Sequence, residues 1–591
     1  MEIEKTAGER ADELTVRSSD TLVGDGAVDF RGKLADKITT GGWRAASFII
    51  VNEVAERMAF YAIAFNMVIF LVKEMHEDLP DASTNVTNWG GTAFVLTLLG
   101  AFLADAYLGR FLTIAIFSCF YAAGTVLLTL AASMDSLRPP PCSVEDCRQA
   151  TGRQKAFLFA SLYLIALGTG GIKPCVSSFG ADQFDEEDPG EARKKNSFFN
   201  WFFFAINLGV VISITLVSYV ENRKGWGCGF GISAAGTLLS LVILLAGWRL
   251  YRHQRPHGSA FSRFLQVLIA ACRNYASSGA SGEEALLFEL KTELSAIHGM
   301  RKLPHTNQYT FLDRAAVMTA PVAFENRWKL CTVTQVEEFK SFVRVLPIWL
   351  TTIAFPFAAA HVNLFTTQAM ATNRRLSTHF VVPASSVAVF SVVNGLIVIP
   401  LYELYGASFF RRFTGHPHGF SSLQRVGLGM FVTIPTFVVA ALVERHRRRA
   451  AEAVTFWWLL PQYFMLGFAD AFTFVGQLEF FYNEATDGTK SISSALFLST
   501  VGVGNWMTSL SVKVVERATG GKERGWLRKD LNHSKLDYYY WIVCAICAVN
   551  FCVYLVVASY HKGKDQVVIH STTGEDESSG TKRLIAAEEA L

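Results

Sequence analysis

Three charged residues interrupt an apolar run early in the chain. Glu53, Glu56 and Arg57 lie within residues 45–72, among Ile, Val, Ala, Phe and Met. Spacings of three and four residues place all three on one face of a helix. Arg57 can pair with Glu53 one turn away, but one guanidinium cannot neutralise two carboxylates. One carboxyl group is thereby poised between charge states, the condition for carrying a proton. Further along, Lys173 follows Gly168-Thr-Gly170-Gly171-Ile, Asp470 sits in Leu466-Gly-Phe-Ala-Asp470-Ala, and Asn207 and His361 also fall in apolar runs. A charge at the centre of a bilayer costs roughly 2.5–3.5 kcal/mol on insertion scales, so such residues usually pair and usually act. A lysine and an aspartate from different halves of the chain outline a central polar cavity gated by opposite charges. The alternative is an ion-pair network that only holds a bundle together.

The elements that must position these groups are membrane helices. The chain has 591 residues, 51% hydrophobic and 18% charged, with 47 phenylalanines, a composition that suits no set of soluble domains. About 20 apolar residues cross about 30 Å of hydrocarbon. About twelve such runs occur, near 45–72, 90–109, 111–133, 155–179, 198–220, 226–250, 342–368, 381–404, 422–443, 454–482, 491–514 and 538–560. The expected fold is therefore an all-α, multi-pass membrane protein. A net charge of +3 without a long Lys/Arg run excludes nucleic acid as a partner and leaves the lipid bilayer and a small solute. No cluster with metal-ligand spacing and no nucleophile–base constellation stands out, so neither an enzyme, a metal site nor an organic cofactor is expected. His416-Pro-His418 reads as a polar loop.

Residues 1–42 are polar and carry no apolar core, so span one is expected to act as its own insertion signal. Even parity puts both termini on one side, taken as the cytoplasm. Glu74, Glu77, Asp78 and Asp81 suit an outer loop, and Arg193, Lys194, Lys195, Arg411 and Arg412 suit the inside. Glu444-Arg-His-Arg-Arg-Arg449 falls on the outer side and conflicts with that rule. Bundles at 43–250 and 341–560 flank a cytoplasmic linker, 251–340, and a tail follows at 561–591. The linker opens with Phe261, Phe264, Leu265, Leu268, Ile269 and Cys272 at helical spacing, an amphipathic helix expected on the inner membrane surface. Thr334-Gln-Val-Glu337 reads as the capping box leading into span seven. Most cysteines sit in spans as small apolar residues. Cys142 and Cys147 flank Ser-Val-Glu-Asp in a Pro-rich loop, where they form either an outer disulfide or two free thiols.

Glu53-Val-Ala-Glu56-Arg57 followed by Phe60-Tyr61 resembles the E-x-x-E-R signature of proton-dependent oligopeptide transporters of the major facilitator superfamily. Ala166 to Asp185, Phe198-Phe-Asn-Trp-Phe-Phe-Phe-Ala-Ile-Asn207-Leu-Gly209, Gly476-Gln-Leu-Glu-Phe-Phe481 and Gly100-Ala-Phe-Leu-Ala-Asp105-Ala-Tyr-Leu-Gly109-Arg110 are similar to further motifs of that family. The plant nitrate/peptide branch is the nearest in kind, through its long central loop and Trp328-Lys-Leu-Cys-Thr-Val-Thr-Gln-Val-Glu-Glu338.

The resemblance implies a 6+6 arrangement working by alternating access, with protons as the coupling ion. It implies that Glu53, Glu56, Arg57 and Lys173 couple proton movement to transport, with Tyr61, Asn207 and Asp470 facing the substrate. Asp470 stands where glutamate is usual, one methylene shorter. His361 lies two residues beyond the histidine of nitrate-carrying relatives when counted from Pro347-Ile-Trp349; it is either an anion ligand or an interfacial histidine. Arg110-Phe-Leu-Thr113 resembles a kinase site, so Thr113 is either a regulatory phosphorylation target or simply the hydroxyl that opens span three. Nitrate or di/tripeptides are the expected substrates, imported across the plasma membrane in preference to the vacuolar one. A carrier of hormones or other organic anions, or a transporter that doubles as a nutrient sensor, is the alternative. Oligomeric state is left open.

Overall fold

The computed structural model describes residues 22–24, 26–140, 148–185, 188–254, 258–277, 287–289, 302–318, 328–377, 380–414, 419–450, 453–486, 489–528 and 531–563. Six long helices precede the linker: α1 (Gly42–Lys73), α2 (Leu79–Leu108), α3 (Arg110–Ser133), α4 (Gly152–Ala181), α5 (Pro189–Lys224) and α6 (Trp226–Ala246). The linker carries α7 (Ala260–Ser277). Six more follow: α8 (Val333–Met370), α9 (Ser385–Thr414), α10 (Ser422–Arg449), α11 (Phe456–Glu484), α12 (Lys490–Ala518) and α13 (Leu536–Tyr560). Among the described residues, eleven of the twelve helices other than α7 are long and apolar enough to cross a membrane. The remaining one, α12, is 29 residues long but more polar. At about 1.5 Å per residue every one of the twelve exceeds the hydrocarbon thickness.

Local sequence explains where the helices start. Thr151 with Gln154, Thr332 with Gln335 and Ser421 with Gln424 each form a reciprocal capping box at the head of α4, α8 and α10. The box on α8 lies two residues ahead of the expected Thr334–Glu337 pair, because the same four-residue pattern recurs at both registers. Glu337 instead accepts hydrogen bonds from the Thr306 backbone N–H and hydroxyl. Span two also starts earlier than its apolar run. Pro80 sits in the first turn of α2, and Ser83, Thr84 and Thr87 are buried within it, so hydropathy alone missed eleven helical residues.

Inside the first half, α2 and α4 touch backbone to backbone. A Cβ on Gly100 would lie 2.1 Å from the Gly170 carbonyl oxygen, so the Gly-Thr-Gly-Gly run is what brings Lys173 into the centre of the bundle. The two halves meet along α2 and α12. Thr87 and Ser509 hydroxyls bond at 2.6 Å, Ser509 donates to the Thr84 carbonyl at 3.2 Å, and Trp506 donates to the Asn88 carbonyl. Ser386 of α9 donates to the Ile214 carbonyl of α5, a second contact between the halves. These bonds lie in the part of the bundle away from the linker, so the halves are joined there.

Residues 22–40 are not a loose tail. Val23 bonds Ala35, Val28 pairs with His253, and Gly24 N–H donates to Asp185. Lys37 bridges Asp185 and Asp188. Arg252, fully buried, forks onto Glu191 and the Thr40 carbonyl. This clasp ties together the ends of α1, α4, α5 and α6.

The linker helix packs on the second bundle along one edge of its expected apolar stripe. Phe264 packs on Phe339 and Phe342 of α8, and Arg263 is buried in a two-pronged bond to Glu338. Leu265, Leu268 and Ile269, expected on the same apolar stripe as Phe264, are exposed. The helix therefore docks on the second bundle through a face that includes a paired arginine. The basic run that conflicted with the orientation rule is also resolved in part. Arg447 is buried in a two-pronged bond to Glu444, and Arg448 pairs with Asp537 at 2.5 Å.

Candidate functional site

The span-one charges converge on the centre of the first half. Arg57 Nε lies 2.6 Å from Glu53 Oε1 and 3.5 Å from Glu56 Oε2, while Lys173 Nζ lies 3.3 Å from Glu56 Oε1. Glu56 thus sits between two cations, Arg57 of its own helix and Lys173 of α4. Glu53, Glu56 and Lys173 are all buried. Neither Glu56 oxygen makes an aligned hydrogen bond, nor does the Lys173 ammonium, which leaves Glu56 with charge contacts but no directional anchor. Lys173 instead lies 4.0 Å above the Phe60 ring and 5.3 Å from that of Phe94, two cation–π contacts.

Those same rings form one wall of a central cavity of about 210 Å³ between the halves. Tyr61, Phe65 and Trp89 continue that wall; Phe355, Pro356, Phe474 and Phe497 face it from the second half. The polar lining consists of Tyr61, Thr87, Asn363, Asp470, Gln477 and Asn505. Asp470 alone among the lining residues carries a charge, and its side chain is exposed into the space. An apolar, largely aromatic cleft with a few convergent polar groups is the usual form of a small-molecule site.

Several expected residues sit elsewhere. His361 is fully buried and turned away from the cavity: Nδ1 lies 2.9 Å from the Phe357 carbonyl, Nε2 2.9 Å from Tyr539 Oη, and the ring packs on Phe357 and Phe437. The cause is the break in α8. Pro347 and Pro356 remove backbone donors, and the helix is interrupted at Ile353 and again at Ala360–His361. The register after that break presents Asn363 to the cavity in place of His361. Asn207 Nδ2 bonds its own Phe203 carbonyl at 2.9 Å and is not among the lining residues. Thr113 is fully buried in the first turn of α3 and donates to the Gly109 carbonyl. The Cys142–Cys147 pair lies outside the described residues. Sequence reasoning passed over Asn363 and Asn505, which carry no charge and no motif; Gln477 was visible inside Gly476-Gln-Leu-Glu-Phe-Phe481.

The described residues contain one trio with metal-ligand spacing, His305, Asp313 and Glu337. Lys340 Nζ already occupies the cation position there, 2.7 Å from Asp313 Oδ1 and 2.8 Å from Glu337 Oε1.

A profile described as the POT family (PTR2) matches residues 111–527. Protein NRT1/PTR FAMILY 8.5 of Arabidopsis thaliana is 43% identical over 553 residues, covering 91% of this chain and 93% of that protein. Protein NRT1/PTR FAMILY 6.3 of the same plant is 39% identical over 572 residues, covering 94% and 96%. The chain belongs to the POT family. It is thus a multi-pass membrane transporter. Its fold matches the crystal structure of the POT family transporter PepTSo with a TM-score of 0.65 at 18% identity, covering 88% of this chain and 99% of that one. It also matches a POT family transporter in complex with 5-aminolevulinic acid, with a TM-score of 0.59 at 13% identity, covering 88% and 98%. In this POT-family chain the E-x-x-E-R signature and the glycine-rich α4 motif are the two sides of one buried charge cluster, adjoining the cavity through Phe60.

Proposed function

We propose that this POT-family chain is a proton-coupled symporter that imports small amine-bearing solutes, di- and tripeptides in preference to nitrate, at the plasma membrane. The observation that carries the substrate class is the charge of the cavity. Asp470 supplies an acid for an ammonium group, while the two cations beside the cavity among the described residues are engaged: Arg57 by Glu53 and Glu56, Lys173 by Glu56 and Phe60. His361 faces Tyr539. Asn363, Gln477 and Asn505 suit the amide groups of a short peptide, and the aromatic walls suit its side chains.

Proton coupling follows from Glu56. A proton on its carboxyl group weakens both ion pairs and frees Lys173. Lys173 rests on the face of Phe60, which also lines the cavity, so a change at the ammonium reaches the substrate space through one shared ring. Release of the halves along α2 and α12 would then expose the cavity to the other side.

Uptake of a labelled dipeptide and of nitrate into proteoliposomes, at acidic and neutral outer pH, tests the reading. Dipeptide accumulation driven by the proton gradient is expected, and Glu56→Gln should abolish it while sparing exchange at equal pH. Nitrate accumulation without dipeptide uptake would overturn the substrate class. Undiminished uphill uptake by Glu56→Gln would remove the coupling role.

A further inference from the structure

A second acid is buried in the first half, well away from the span-one cluster. Glu221 lies on the last turn of α5 and is 2% exposed. Neither of its carboxyl oxygens has a hydrogen-bond partner, and no ion pair reaches it among the described residues. Its side chain folds over α6 where that helix lacks a side chain: a Cβ on Gly229 would lie 2.0 Å from Glu221 Cγ and could not be accommodated. The charged groups on the packed elements are occupied or turned away. Glu74, at the end of α1, is held by Arg138 and by the Trp226 indole, and Arg223 leans over the Tyr219 ring.

Polar groups without partners continue from this point. One turn back on α5, Ser218 accepts from Asn66 Nδ2 of α1 at 2.8 Å and donates to the Ser213 carbonyl. Asn66 Oδ1, Ser213 Oγ and Ser233 Oγ of α6 are buried and unpaired, like the carboxyl. The interior where α1, α5 and α6 meet therefore holds an acid and a short run of hydroxyl and amide groups, with no cation paired to the acid among the described residues.

A carboxylate cannot persist there without a counter-ion, because a buried, unpaired charge costs far more than a neutral acid. We propose that Glu221 is a second proton-binding site, loaded in this conformation, which gives up its proton when the α5–α6 end opens to water during the transport cycle. The inference rests on the proton-coupled reading above, and adds a carboxyl group one turn of α5 beyond Ser218. The Ser218 partner, Asn66, is itself about 15 Å along the axis of α1 from Glu56, the rise of ten residues. The groups at Ser218, Asn66 and Ser213 offer a path for the proton or for a water that carries it.

The test is infrared spectroscopy on the purified protein in lipid vesicles, with E221Q as the comparison. Loss of one carboxylic-acid absorption in E221Q supports the loaded state; an unchanged acid absorption overturns it. Dicyclohexylcarbodiimide, which adds to a protonated buried carboxyl as an N-acylurea, gives an independent reading on the wild-type chain. Modification at Glu221 that fades as pH rises supports the proposal, and no modification there overturns it even if E221Q fails to fold. The charge moved per dipeptide then tests release. A lower ratio in E221Q supports exchange during the cycle, whereas a ratio and pH profile equal to wild type mean a proton held permanently, and overturn it. E56Q in the same vesicles separates the two readings: intact coupling in E56Q sinks the coupling role of Glu56 and leaves the Glu221 spectrum unaffected.

Discussion

Lys173 of α4 lies 3.3 Å from Glu56 of α1 and is fully buried, so the two halves of the recognised signature meet as one ion pair inside the bundle. The pair is shared, because Arg57 approaches the other oxygen of Glu56. Removing a single member leaves charge without compensation.

Lys173→Ala should lower stability by about 3–5 kcal/mol, the usual cost of stranding one partner of a buried pair. It should also change the pH dependence of uptake, since Glu56 loses the cation nearest its Oε1. Thermal unfolding followed by size-exclusion chromatography checks the first effect and a pH series of uptake the second. A variant of normal stability with an unaltered pH profile would reduce Lys173 to packing.

Asp470 and His361 should separate cleanly. Asp470→Asn keeps the volume but removes the one lining charge, so the KM for dipeptides should rise at least tenfold with surface expression unchanged. His361→Ala strips a ring from the packing of Phe357, Phe437 and Tyr539 and leaves the Tyr539 hydroxyl short of a partner. A loss of about 2–4 kcal/mol in stability is expected there, with little change in KM. The opposite pattern would mean that His361, not Asp470, serves the substrate.

At Gly91 α2 passes close to α12. A Cβ there would lie 2.5 Å from Trp506 Cδ1 and 2.9 Å from the Gly502 carbonyl. Gly91→Leu should prevent the halves from closing along this line, and transport should fall sharply. Labelling of a cysteine placed at Ser509 by a membrane-impermeant thiol reagent should increase in this background. Equal labelling with and without the leucine would show that the contact does not gate access.

The N-terminal clasp should loosen in acid. The Gly190 backbone N–H, 2.8 Å from Oδ1, and then Lys37 hold the Asp188 carboxyl below the usual carboxylate range. A lowered carboxyl value in the folded state means that its contribution is complete above the unfolded value of about 4 and is lost as pH falls through the folded one. Amide exchange of residues 22–40 should accordingly accelerate below about pH 4. Asp188→Asn should flatten that dependence. Exchange in this segment independent of pH in both forms would detach Asp188 from the clasp.

The sequence alone determined the long helices, their division into six and six, and the face of α1 that carries Glu53, Glu56 and Arg57. Hydrophobic run length and the 3.6-residue period are local properties, and a charge in such a run must be answered by another. The placement of Asp470 in a cavity was legible for that reason. The residues alone set Lys173 opposite Asp470, and only the family resemblance pointed it to the α1 cluster, where it pairs with Glu56. Tertiary structure decided which face of each helix meets protein and which is left outward. Lipid and bundle interior are equally apolar, so a stripe such as Phe264, Leu265, Leu268 and Ile269 does not say which side packs, and Arg263 emerged on the buried one. The same ambiguity governed His361. Its orientation depends on breaks in α8 after Pro347 and Pro356, and a shift of two residues past such a break exchanges a cavity-facing histidine for Asn363. Register beyond a helix break is set by what the neighbouring helices can accept, and no local pattern encodes it.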